Sequence, residues 1–156
     1  MPNVRAAWGI GANMAARRAI LDRVGVFDPL LGPCSKFKAG EEVDLAIRVL
    51  AAGGRIANTP EVTVHHLGVR RGDEASQLMR GYLFATGAVY TKHLRLGTRG
   101  SIRLLTETVW MHVENTARNV FRGTRPTGLG QLIALGQGTF ASLRCQLDSD
   151  RGVYRL

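Results

Sequence analysis

Three carboxylates crowd one short stretch, GEEVDLAIRVLAAGG at residues 40–54: Glu41, Glu42 and Asp44. Two kinds of chemistry fit acids in this position. Negative side chains in the first turn of a helix complement the positive end of its dipole and need do nothing else. Alternatively, one of them is a general base, held there to take a proton from a reacting hydroxyl. Arg48 follows Asp44 by four residues, so that acid has an ion-pair partner on its own helix face. Glu41 and Glu42 remain, and adjacent helix residues point about 100° apart, which assigns them different tasks. Gly40, directly before them, lets backbone approach a ligand closely.

Other residues with chemical potential are fewer. His65 and His66 end the run PEVTVHH. On a strand they face opposite ways, so they do not share one metal, although one of them can serve as a ligand. Arg70 and Arg71 beyond them form either a solvated turn or a phosphate clamp. The run GIGANM resembles a dinucleotide-binding turn only in part. Met14 occupies the third small position, and eight residues before Gly9 leave little room for the required strand. Cys34 and Cys145 make neither a disulfide framework nor a zinc pattern, and are read as free thiols in a reducing compartment.

The elements that must position these groups follow from periodicity and turn chemistry. RRAILDRVG reads as a short helix ending at Gly25, and VFDPLLGP as turns around Asp-Pro and Gly-Pro. A helix over about 41–52 buries Val43, Ala46, Ile47 and Leu50 and stops at Gly53–Gly54. RIANTPEVTVHH alternates as two short strands around Pro60, the second placing Val62, Val64 and His66 on one face. From Asp73 the pattern turns helical, over about 73–96, 100–122 and 128–144. The expected layout is α/β, with a small α/β piece over 1–72 and a helical extension over 73–156.

Composition narrows the partners. The 156 residues suffice for one ordinary domain, and 45% apolar content rules out wholesale disorder. A net charge of +9 suggests an anionic partner: nucleic acid, a membrane surface or a phosphate-bearing substrate. The aromatics are few and not interleaved with basic residues on a strand, which argues against RNA. Residues 1–100 carry 14 basic and 8 acidic side chains and residues 101–156 carry 7 and 4, so there is no basic tail. No apolar run marks a secretory signal or reaches the length of a bilayer span. The stretch 126–143 holds no charge and is bounded by Arg125 and Arg144. It fits either a helix packed on the domain or an interfacial one with arginines at head-group level.

GANMAARRAILDRVGVFDPLLG, GEEVDLAIRVLAAGGRI and PEVTVHH occur in an order that resembles the C-terminal half of family 2 nucleotide-sugar glycosyltransferases of the GT-A fold. The resemblance covers about residues 9–70. It implies the C-terminal portion of a GT-A-type mixed α/β fold, with a helical extension that is a less specific match. It also implies that Glu42, at the second acid of a Glu-Asp motif, is the base, here with Glu in place of Asp. Glu41 matches the first acid and assists the acceptor site. His66 matches a histidine near the metal-diphosphate, with His65 as second choice. Gly11 and Asn13 match a glycine-rich segment lining the sugar and acceptor site. Gly40, Asp44 and Arg48 are counted with the substrate-side residues, Asp44 mainly as a structural partner.

The activity so implied is an inverting sugar transfer from a nucleotide-sugar donor to a glycan, lipid-linked or other hydroxyl acceptor, as in cell-envelope polysaccharide synthesis. Mg²⁺ or Mn²⁺ would neutralise the leaving diphosphate. The family's nucleotide-binding sheet and Asp-x-Asp motif are expected before residue 1, since the DSD at 148–150 lies in a polar tail. The chain alone is therefore expected to be inactive and to need a separate N-terminal half. Its expected location is cytoplasmic, peripheral on the inner face of the membrane. The alternative is a non-catalytic module that binds an anionic membrane or nucleic acid.

Overall fold

The computed structural model describes residues 11–65, 68, 70–124 and 126–155. Its helices are α1 (Arg18–Val24), α2 (Glu41–Ala51), α3 (Gly72–Arg95), α4 (Ser101–Phe121) and α5 (Thr127–Leu143). A 3-10 turn at Gly11–Asn13 precedes them. A short antiparallel hairpin, β1 (Leu147–Asp148) with β2 (Val153–Tyr154), follows.

Local chemistry explains the boundaries of α2. Gly40 takes a left-handed conformation at φ 95°, and Glu41, Glu42 and Asp44 fill the first turn, where the dipole favours them. Arg48 lies in the last turn, and Gly53 at φ 77° ends the run. The close approach that Gly40 permits is to α3. A Cβ there would fall 2.9 Å from Val89 Cγ2 and 3.4 Å from Ala85 Cβ. Its structural task is thus to seat the start of α2 on α3.

Helices α3 and α5 pack backbone against backbone. A Cβ on Gly87 would collide with the carbonyl of Leu135, and one on Gly138 with the carbonyl of Phe84. Glycine at both crossing points lets the helices touch where any side chain would hold them apart. The main core sits beside this crossing and draws on both halves of the chain. Leu31, Phe37 and Ile47 pack with Ala88, Val89, Tyr90, Cys145 and Tyr154. The Phe37 ring stands 5.0 Å from that of Tyr154 and 5.8 Å from that of Phe84. Residues on either side of position 72 therefore share one core.

The expected GT-A-type mixed α/β portion is corrected by this architecture, which among the described residues is mostly helical with only a two-stranded sheet. Residues 55–65 contain no strand. β-branched alternation makes a strand only where a neighbour completes the hydrogen-bond ladder. Val62 and Val64 are instead exposed, and the Val62 carbonyl accepts from Asn13 Nδ2 at 3.2 Å. The five helices expected from periodicity are present within a few residues of their expected limits. Among the described residues, no helix is long and apolar enough to cross a membrane.

Candidate functional site

The 3-10 turn and the start of α2 meet at a hydrogen bond. The Gly11 N–H donates to Glu42 Oε1 at 2.9 Å. Glycine is required for this approach, because a Cβ at position 11 would sit 2.7 Å from the same oxygen. Glu42 opens onto a cleft of about 630 Å³, lined on its polar side by Asn13, Arg17, Arg55 and Asn58. Ile20, Leu45 and Val49 supply apolar wall. Gly11, Asn13 and Glu42 are thus brought together, with Arg17 and Arg55 as two cations the sequence had not singled out.

Glu41 stays within hydrogen-bonding reach of the Glu42 side chain but also meets a different loop. A Cβ on Gly32 would lie 3.2 Å from Glu41 Cδ, which places that carboxylate against the Gly32 loop. Its Oε2 is buried without a hydrogen-bond partner. Burial raises the Glu41 carboxyl above its ordinary range against the opposing pull of a backbone hydrogen bond, and the neighbouring Glu42 charge adds to the rise. This raised carboxyl is biased toward holding its proton.

Asp44 and Arg48 turn inward, into a buried network of charges. Asp44 has no exposed surface. It receives Arg48 at 3.0 Å, Lys92 Nζ at 2.5 Å and His93 Nε2 at 2.9 Å. Lys92, itself fully buried, also reaches Asp28 Oδ2 at 2.9 Å, and Asp28 accepts from the Tyr154 N–H at 2.8 Å. Burial alone would raise Asp44. The His93 hydrogen bond and the Lys92 and Arg48 charges outweigh it and hold the carboxyl below its ordinary range. Such a network is costly to bury and strongly destabilising to break.

Its geometry explains how the cleft is held open. The Arg48 guanidinium donates to the carbonyls of Val24, Gly25 and Val26, where α1 ends. A cation on those carbonyls suits the negative end of the helix dipole. Arg23 in turn donates to the Ala52 carbonyl at 2.7 Å, at the end of α2. Asp44 and Arg48 therefore clamp α1 to α2 from the inside, and both helices wall the cleft. Neither is among the residues that line the cleft, and both act on it by holding its walls.

The expected metal ligand His66 lies outside the described residues. His65 is exposed and belongs to no strand, so the alternation that separated the two histidines does not apply to it. Among the described residues, no group of three His, Cys, Asp or Glu side chains is placed to hold a metal ion. The described donors thus do not by themselves complete a site for the expected Mg²⁺ or Mn²⁺. No protein-family model, curated protein or solved structure matches this chain.

Proposed function

We propose that Glu42 is the general base of an inverting glycosyl transfer and that the cleft beside it receives the acceptor. The observation that supports this is the Gly11–Glu42 hydrogen bond. It joins two motifs 31 residues apart beside one cleft whose largely apolar wall carries Asn13, Arg17, Arg55 and Asn58. The Gly11 N–H fixes one carboxylate oxygen, and the other takes the proton of the acceptor hydroxyl. As the acceptor's hydroxyl oxygen bonds to the anomeric carbon, the bond to the nucleoside diphosphate breaks and the leaving group departs with its electron pair. Asn13 and Asn58 offer donors and acceptors suited to sugar hydroxyls.

Donor recognition is assigned to a nucleotide-holding unit outside residues 1–156, supplied in the same or another polypeptide. The expected place of work is the cytoplasmic face of a membrane, as a peripheral protein.

The test is release of nucleoside diphosphate from a panel of nucleotide sugars and glycan acceptors with Mn²⁺. It is run on the chain alone and with a separately supplied nucleotide-binding half. Transfer that falls about 10²–10⁴-fold in Glu42→Gln supports the assignment, that being the usual worth of a general base. Turnover unchanged in that variant, or no transfer in either arm, overturns it.

A further inference from the structure

Helix α5 buries one side and leaves the other bare. Ala134, Leu135, Gly138 and Ser142 face inward, whereas Leu129, Ile133, Phe140 and Leu143 are each more than half exposed. Spacings of four, seven and three residues put these four on a single face. The helix carries no charged side chain from Thr127 to Leu143.

Beside this face, the first half of α3 and the start of α5 enclose a groove of about 1380 Å³. Leu78, Phe84, Leu129 and Ile133 make its apolar part. Lys36, Lys38, Arg70 and Arg80 also line it, against the single carboxylate of Glu74. Lys38, Arg70 and Arg80 form no ion pair with any described residue. At the far end of α5, the Arg144 guanidinium lies 4.1 Å from the centre of the Phe140 ring.

An uncharged apolar stripe flanked by cations with no acidic partner among the described residues has the layout of an interfacial helix on an anionic bilayer. We propose that the α3–α5 face is a docking surface for such a bilayer. Leu129, Ile133, Phe140 and Leu143 enter the head-group–acyl boundary, while Lys38, Arg70 and Arg80 contact lipid phosphates; Lys36 Nζ is already turned to Cys145 Sγ at 3.2 Å. A second copy of the chain fits less well, since a two-fold interface would set the two basic rims against each other. Nucleic acid leaves the aliphatic stripe without a role. The surface is independent of the transferase assignment, because none of its residues lines the Glu42 cleft.

The experiment is co-sedimentation of the whole chain with phosphatidylcholine vesicles, plain or with phosphatidylglycerol as about a quarter of the lipid. Binding is expected only to the anionic vesicles and is expected to weaken as salt rises. Ile133→Asp and the pair Lys38→Glu with Arg80→Glu should each reduce it about tenfold or more. These side chains are exposed or line an open groove, so circular dichroism and the melting midpoint should stay unchanged. Phe140→Asp provides a second test if one variant misfolds. Several outcomes overturn the proposal: equal binding to neutral vesicles, retention by the folded variants, or transfer of the loss to Trp110→Asp on α4. So does a dimer by ultracentrifugation that Ile133→Asp dissolves without any vesicle binding, or single-stranded RNA bound in place of lipid.

Discussion

The Gly11 N–H and Glu42 Oε1 stand 2.9 Å apart, joined across 31 residues of sequence. A methyl group at position 11 would lie 2.7 Å from that oxygen, but the oxygen ends a flexible side chain that can swing aside. Gly11→Ala is therefore expected to leave the melting midpoint nearly unchanged. Transfer in the reconstituted assay should fall about tenfold to a hundredfold, because the base is displaced and not removed. A large loss of stability with normal turnover would show that the glycine serves packing alone.

Breaking the buried charge network should cost far more. Lys92→Met leaves Asp28 and Asp44, both with no exposed surface, facing each other without the cation between them. Chemical denaturation should show a loss of about 3–5 kcal/mol, the usual cost of stripping one partner from a buried pair. A loss below about 1 kcal/mol would mean that the pair is worth no more than a surface one.

Acid should act on the same network through Asp44. Its carboxyl is held below its ordinary value of 3.8, by His93, Lys92 and Arg48 acting against burial. A depressed folded value gives stability that is present above the unfolded value and is lost as pH falls through the folded one. Urea midpoints should thus drop steeply below about pH 4. In Asp44→Asn, less stable throughout, that part of the acid dependence should be flatter.

Glu41 should respond with the opposite sign. Burial and the Glu42 charge raise its carboxyl, so ionisation costs stability and the cost grows as pH rises through the folded value. Glu41→Gln is expected to raise the melting midpoint at neutral pH and to lose that advantage in acid. Transfer should be affected less than in Glu42→Gln. An unchanged midpoint at pH 7 would show that the buried Oε2 finds water.

The α3–α5 crossing leaves no room for a methyl group. Gly138→Ala would drive a Cβ into the Phe84 carbonyl, and backbone cannot rotate away as a side chain does. A loss of about 1–3 kcal/mol or more is expected on denaturation, with a changed near-ultraviolet spectrum from nearby aromatics. Gly136→Ala, on the same helix with nothing within 4 Å, is the control and should be neutral or slightly stabilising.

The helices were legible because each carries its own signal: three acids behind Gly40, or an apolar repeat closed by glycine. The strands expected near Pro60 failed because a strand depends on a partner, and alternation does not reveal whether one exists. Of the candidate site, Gly11, Asn13 and Glu42 do converge. The closure of the network around Asp44 was invisible, since Asp28, Lys92 and His93 come from distant segments. One signal did exist. Lys92 continues the buried positions Ala85, Ala88 and Val89 at helical spacing, so a lysine occupies the place where the core requires an apolar side chain. A cation in that register calls for a buried acid, and the Asp-Pro turn at Asp28 supplied one.

Tyr154 binds Asp28 through its backbone N–H, while its hydroxyl donates toward the Ala88 carbonyl at 2.9 Å or Ser142 Oγ at 2.7 Å. The contact with Asp28 spans 126 residues of sequence. During synthesis, Asp28 leaves the ribosome long before its last ligand exists, at a pace of about 5–20 residues per second. The helices can form as they emerge, but the charged centre cannot be sealed until residue 154 is made. Until then, Asp28 and Lys92 lack part of their enclosure and stay open to water. A released chain that stops just short of Tyr154 should therefore be helical yet readily cut by protease, whereas one that runs through residue 156 should resist.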